Sequence, residues 1–403
     1  MEVVIIGAGA AGYFAAIQVR RQHPATTVHL LERSDKVLSK VRISGGGRCN
    51  VTHHCLEPRK LARHYPRGEA FLRQAFKQFA VADTIAWFAA EGVTLKVEAD
   101  GRMFPTTDDS ATVVAALTTA ADRARVNLHV QHRVQQLEPL PNGRWRVHVQ
   151  ERRPLEADSV IVTMGGHPKA EGYQLLQRLG QPIVEPVPSL FTFNLPDDPV
   201  RELAGVVAPA VRARITGTEL ESEGPLLITH WGMSGPAILR LSAWGARIVQ
   251  ALDHCFTLQL NWVGGRHEGL VQQAFQEQVN DHPNKQLANL PLFALPRRLW
   301  AHLLHKAEVG AERTPATLPR KERNRLVDIL TNDRYAVNGR TTFKEEFVTA
   351  GGVDLAAVDP DTLQSRVLPG LYFAGEVLDI DGITGGFNFQ AAWTTGAIAG
   401  RLG

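Results

Sequence analysis

The chain has 403 residues, and its 44 Lys+Arg against 41 Asp+Glu leave a formal net charge of +3, so charge alone points to neither nucleic acid nor an acidic membrane surface. Its 44% apolar and 21% charged residues are those of a globular protein of about two or three domains, which excludes disorder and collagen-like structure. Cys49, Cys55 and Cys255 form no C-x-x-C pair and no ligand cluster with the 15 histidines, so neither a disulfide scaffold nor a metal site is expected. No membrane span or signal peptide is read either, and a reducing, cytoplasmic setting is expected.

The β-branched run Val3-Val4-Ile5-Ile6 reads as a buried parallel strand ending at Gly7. Gly7-Ala8-Gly9-Ala10-Ala11-Gly12 leads into a helix through Gln22, and Val28 to Leu31 forms a second strand that ends at Glu32. This is a β-α-β unit. Helical patterns follow at Ala70 to Glu91 and Ala111 to Ala124, then strands at Val126 to Val130, Arg144 to Gln150 and Val160 to Thr163. Prolines from Pro182 to Pro209 mark loops and short edge strands. Period-2 alternation in Val211 to Ile215 and Phe256 to Trp262 reads as a small barrel or sheet, with a helix near Gly235 to Ile248.

From His267 to Asp333 the pattern is helical, at Leu270 to Val279, Arg297 to Val309 and Lys321 to Leu330. After Phe343 strand and glycine return. A strand from Gly370 runs into Gly375 and Glu376, and a last helix spans Phe387 to Arg401. The fold class expected is α/β: a discontinuous Rossmann-like domain of residues 1–187 and 340–403, a β-barrel-like substrate domain of 188–263 and 334–345, and a helical insert of 264–333. From its place in the chain the insert is expected to act either as a cover over the site or as a solubilising or oligomerising appendage.

In the first glycine motif Gly7 permits a tight turn, Gly9 lets a pyrophosphate approach the backbone, and Gly12 lets the helix pack against the strand. Ala10 and Ala11 supply unpaired amides at the positive end of that helix. Glu32, about 20 residues on, suits ribose hydroxyls. Arg33 beside it would suit a 2′-phosphate, but the acid repels one, so FAD or NAD is favoured over NADP. The loop Lys40-Val41-Arg42-Ile43-Ser44-Gly45-Gly46-Gly47-Arg48-Cys49-Asn50 sets bare amides beside three cations and suits a diphosphate and a flavin. Gly385-Gly386 opening a helix can place a positive helix end at a flavin's pyrimidine ring, where negative charge gathers on reduction.

Together with Thr229-His230-Trp231-Gly232-Met233-Ser234-Gly235-Pro236 and the run Phe373 to Asn388, these motifs resemble the BaiN/RdsA-type NAD(P)/FAD-dependent oxidoreductases, aminoacetone-oxidase-like flavoproteins. The resemblance runs in order along nearly the whole chain. It implies an FAD domain interrupted by a barrel and a helical insert. Glu32 would hold the adenosine ribose, Gly9 to Gly12 the pyrophosphate, and Lys40 to Asn50 the ribityl and flavin side, with the backbone of Val134 at the adenine. Glu376, with Gly375 and Asp381 in the same motif, would serve the ribityl or pyrophosphate region, and Gly385, Gly386, Phe387, Asn388, Phe389 and Gln390 would lie under the isoalloxazine. After Gly165 and Gly166 the family carries a longer Ser/Pro/Gly loop than the short His167 to Tyr173 found here.

The function expected is FAD-dependent hydride or electron transfer to or from a small-molecule substrate. With a single G-x-G-x-x-G, NAD(P)H could serve only as a transient reductant. DNA is not an expected partner and RNA is disfavoured. The competing readings are an RNA-modifying flavoprotein whose basic insert grips phosphates, and a non-enzymatic flavin-binding redox sensor. Cys49 is expected to pack, His230 to be structural, and Arg320 to Arg325 to be a solvated helix start. No catalytic residue is singled out.

Overall fold

The computed structural model describes residues 1–341 and 348–403. The expected barrel residues 342–345 and the return to strand directly after Phe343 lie outside the described residues. Two compact units are present: Met1–Ser189 with the described part of Phe343–Gly403, and the described part of Leu190–Thr342.

The first unit is built on a five-stranded parallel sheet of β1 (Glu2–Ile6), β2 (Thr27–Leu31), β3 (Asn127–His129), β4 (Ser159–Val162) and β5 (Leu371–Phe373), in the spatial order 5-4-1-2-3. Val3, Val4 and Ile5 are fully buried, as both faces of a parallel sheet require. The register sets Ile5 beside both Leu30 and Ile161, so β1 is the central strand. Helix α1 (Ala10–Gln22) leaves β1, and helix α2 (Phe387–Ala399) closes the chain against it. This crossing is backbone-close, because a methyl at Gly396 would stand 2.8 Å from the Ala11 carbonyl oxygen and one at Gly400 would stand 2.7 Å from that of Ala15. Two segments about 380 residues apart in sequence thereby meet at the carboxyl ends of β1 and β5, where an open α/β sheet binds ligands.

The second unit holds a seven-stranded antiparallel sheet. The strands at its two ends, Asp333–Asn338 and Arg340–Thr341, are separated in sequence by Gly339 alone, so the sheet curls back on itself as a barrel does. The helical segment is not a separate body. Trp300, Leu303, Leu304, Leu326 and Leu330 from its helices share one core with Leu258, Leu260 and Tyr335 from the strands and Trp262 from the turn after Asn261. Asp333, 1% exposed, fastens the two parts: it accepts from Lys306 Nζ at 2.5 Å, Trp262 Nε1 at 2.9 Å and Tyr335 Oη at 2.5 Å. The expectation of a detachable insert is corrected here. Helical periodicity locates the apolar face of a segment but does not say what that face packs against.

Among the described residues no helix is long and apolar enough to cross a membrane, and no cluster of His, Cys, Asp or Glu could hold a metal ion.

Candidate dinucleotide site

The glycine turn follows β1 and opens α1. The first amide of this helix with a main-chain partner is that of Tyr13, which donates to the Gly9 carbonyl at 3.0 Å. The amides of Ala10, Ala11 and Gly12 therefore remain at the positive end of the helix dipole, the arrangement that binds phosphate. Gly9 and Gly12 serve opposite purposes. A methyl at Gly12 would stand 1.9 Å from the Gly7 carbonyl oxygen, so Gly12 is needed for packing, whereas one at Gly9 would meet nothing within 4 Å and marks open space in front of the amides.

Glu32 directly follows β2 and reaches back to this turn. Its Oε2 accepts from the Ala8 amide at 3.0 Å, and Oε1 accepts from the amide and hydroxyl of Ser34 at 3.0 Å each. Each carboxylate oxygen has two lone pairs, so Oε2 retains capacity for one ribose hydroxyl. Arg33 is exposed. The chain from His129 runs alongside, with Glu32 donating to the His129 carbonyl and His132 to that of Glu32, both at 2.8 Å, and Val134 opens the next strand.

The loop after Lys40 winds through three consecutive left-handed residues, Gly45, Gly46 and Gly47 (φ +60°, +69° and +85°), which only glycine adopts without strain. A methyl on Gly46 or Gly47 would meet nothing within 4 Å, so this side of the loop also faces open space. Ser44 is half-buried and its hydroxyl donates to the Val41 carbonyl at 3.1 Å. The three cations of the loop differ in what they offer. Lys40 Nζ pairs with Glu376 Oε2 at 2.6 Å, Arg48 pairs with Glu98 at 2.6 Å while lying over the Phe104 ring, and Arg42 is exposed. Arg48 thus commits Nη1 to Glu98, which sets part of its charge against a carboxylate of the protein.

From the other direction, α2 presents its N-terminus to this loop. Its first amide bonded along the helix is that of Gln390, to the Gly386 carbonyl at 3.0 Å, which leaves the positive helix end at Phe387 to Phe389. With its amide oriented to satisfy both groups, Asn50 accepts from the Gly386 amide at 2.9 Å and donates to the Thr52 carbonyl at 3.0 Å. Asn50 therefore ties the glycine loop to the start of α2. Gly375 lies close against α1, since a methyl there would stand 2.8 Å from the Ala11 side chain, and Glu376 Oε1 accepts from the Thr349 amide at 2.9 Å. Gly165 leaves open space at its Cα, and the short loop after it closes on itself, with the His167 amide donating to Tyr173 Oη at 3.2 Å.

The family model described as HI0933-like protein Rossmann domain matches residues 1–402. The chain belongs to this family. It is similar, at 28% identity over 99% of this chain and 98% of the relative, to the 3-dehydro-bile acid delta(4,6)-reductase of Clostridium scindens. It is also 28% identical to the ribosomal RNA dihydrouridine synthase of Haemophilus influenzae, over 98% of this chain and 96% of the relative. Among solved structures, the 3-ketosteroid delta1-dehydrogenase of Sterolibacterium denitrificans shares the fold with a TM-score of 0.52 at 12% identity, over 99% of this chain and 98% of the other.

Within this HI0933-like chain three expected contacts have side chains that cannot reach a ligand. Cys49 is 0% exposed and Gln390 is 0% exposed, the latter accepting from Thr52 and Thr84 hydroxyls at 2.6 and 3.0 Å. Asp381, also 0% exposed, is held by Arg67 and by Ser189 Oγ at 2.7 Å. All three are buried by the protein itself, so each shapes the site from behind. Burial pushes the Cys49 thiol up to about 12, against the opposing hydrogen bond to Ser44, so no thiolate forms near neutrality. In native protein at about pH 8, near the ordinary thiol range, iodoacetamide should alkylate exposed Cys255 and leave Cys49 unmodified by peptide mass mapping; prompt labelling of Cys49 would contradict this.

Sequence reading missed the rings of His53 and His64, which lie against Phe387 with centroids 4.7 and 4.4 Å away, and it missed Arg67 and Ser189. Only the packing of these residues around the α2 start, invisible in one dimension, reveals them.

Proposed function

We propose that the protein is an FAD-dependent oxidoreductase acting on a small-molecule substrate with a ring carbon–carbon double bond. The observation that carries this reading is the convergence of three backbone-amide elements in one unit: the start of α1, the Gly45–Gly47 loop and the start of α2. FAD fits them, since the open space in front of Gly9 and the Gly46–Gly47 face are where a Cβ would find no neighbour. Ala10 to Gly12 would hold the pyrophosphate, Glu32 the adenosine ribose, Val134 the adenine, and the amides of Phe387 to Phe389 the pyrimidine edge of the flavin. Lys40, Arg42, Glu376 and Gly165 would line the path between. When bound, FAD supplies hydride transfer to or from one substrate carbon, with a proton moving at its neighbour. In the same proposal Met1–Ser189 with the C-terminal segment is the cofactor domain, and the unit beginning at Leu190 bears on the substrate. A nicotinamide serves only as a visiting reductant.

Both relatives' names describe reduction at such a bond, in a bile acid and in uridine. The equal identity of the dihydrouridine synthase supports a second reading, an RNA-modifying flavoprotein. An anaerobic stopped-flow experiment separates them. Photoreduced protein should reoxidise its flavin on mixing with a 3-oxo-4,6-diene bile acid. Reoxidation by unmodified ribosomal RNA instead, with binding that falls steeply as salt rises, would select the second reading. A yellow protein reoxidised by neither contradicts both.

A further inference from the structure

The loop from Ile380 to Phe387 leads into α2 and carries Gly385, Gly386 and Phe387, the first of the residues expected under the flavin ring. It is gripped by one short segment far away in sequence. The His64 carbonyl accepts from the Ile383 amide at 3.0 Å, and Tyr65 Oη donates to the Phe387 carbonyl at 2.7 Å. Arg67 pairs with Asp381 through both Nε and Nη2, and the backbones of these two residues are bridged. Gly68 lies under Ile380, where a methyl would approach its side chain to 2.7 Å. Ser189 Oγ donates to the same Asp381 carboxylate at 2.7 Å. The loop is also pinned internally, by the Asn388 amide group bonded to the carbonyl and amide of Gly382 at 2.9 and 2.8 Å.

An ion pair with one partner wholly buried is expensive to assemble and is weak evidence of stabilisation for its own sake. What it does supply is direction. A guanidinium fork accepts a carboxylate in one geometry, so the pair fixes Asp381, and with it the loop, more tightly than an apolar contact would. The carboxylate has no exposed surface from which to touch a ligand, so whatever it does at the site it does through the loop backbone.

We propose that Arg67, Asp381 and Ser189 are positioning residues for the flavin half of the dinucleotide site, aiming the amides at the start of α2. They leave the adenosine and pyrophosphate half, built by β1, α1 and Glu32, untouched. This rests on the FAD reading above. The two halves can be titrated apart, because ADP occupies only the second.

The test is calorimetric titration of the full-length chain, stripped of flavin, with FAD and separately with ADP. In Arg67→Lys, which keeps the charge and loses the fork, the Kd for FAD should rise about tenfold while that for ADP stays within about twofold of wild type. The visible absorption bands of the bound flavin should shift in the same variant. Ser189→Ala, a milder change that leaves the ion pair in place, should move FAD affinity the same way by less, and covers the case in which Arg67→Lys does not fold. Equal weakening of FAD and ADP would show a general structural role and overturn the proposal. So would FAD affinity and spectrum unchanged from wild type. If wild-type protein itself binds FAD no more tightly than ADP, it is the FAD reading that fails.

Discussion

Gly9→Val is expected to give a folded, colourless protein. Gly9 sits at φ −89° and ψ −166°, an extended conformation that valine adopts readily, and an ideal Cβ there has no atom within 4 Å. No contact of the new Cβ therefore opposes the substitution. Its two methyl groups would instead occupy the space in front of the Ala10 to Gly12 amides, where the proposed pyrophosphate would lie. Gly12→Ala should also lose the cofactor, but by a different route: its methyl would lie 1.9 Å from the Gly7 carbonyl oxygen and 2.7 Å from Thr163 Oγ1, so the helix must leave the strand. A circular-dichroism melt alongside the flavin absorbance distinguishes the two. Gly9→Val should melt like stripped wild type, and Gly12→Ala below it. A yellow Gly9→Val would place the dinucleotide elsewhere. Stripping itself has a predicted cost, because FAD at about 100 times its Kd stabilises the fold by roughly 2.7 kcal/mol.

Replacing Gly265 to Asn332 by a short Gly/Ser linker is expected to unfold the second unit. An independent cover could be removed with little harm, but here Trp262, Leu258, Leu260 and Tyr335 would lose the buried partners Trp300, Leu303, Leu304 and Leu326. Burying one such side chain contributes about 1.5–3 kcal/mol, so losing the four is a loss comparable to a whole net stability of about 5–15 kcal/mol. Asp333 would in addition lose the Lys306 ammonium and keep a buried charge with only Trp262 and Tyr335 to satisfy it. Inclusion bodies or dye-binding, protease-sensitive protein are the expected outcomes. A soluble variant that melts cooperatively would restore the idea of a detachable cover.

The parts legible in the sequence were those written locally. Val3 to Ile6 announces a parallel strand because both of its faces must be apolar, and Gly7, Gly9 and Gly12 announce the turn because their spacing has a backbone reason. The Rossmann-like α/β class followed, and the family match over residues 1–402 agrees with it. What was not legible depends on distance in the chain. Arg67 and Asp381 are 314 positions apart, and nothing in either neighbourhood encodes the other. Arg48 reads as a phosphate-facing cation until Glu98, on another segment, is seen to hold it. Cys49 is expected to pack and is wholly buried, but that the loop turns it inward at φ +61° was not legible in its neighbours. The long helical pattern at Ala70 to Glu91 is two helices, Glu69–Ala75 and Val81–Ala90, since apolar periodicity continues across a break in the backbone.

The most direct test of the dinucleotide site is the identity of the flavin released when the purified protein is heat-denatured and its supernatant is resolved by chromatography with mass detection. In the proposed reading the Glu32 carboxylate just beyond β2 and the amides opening α1 hold an adenine dinucleotide, so FAD in near-stoichiometric amount is predicted. FMN alone, or no flavin after reconstitution with FAD has been attempted, would contradict the account.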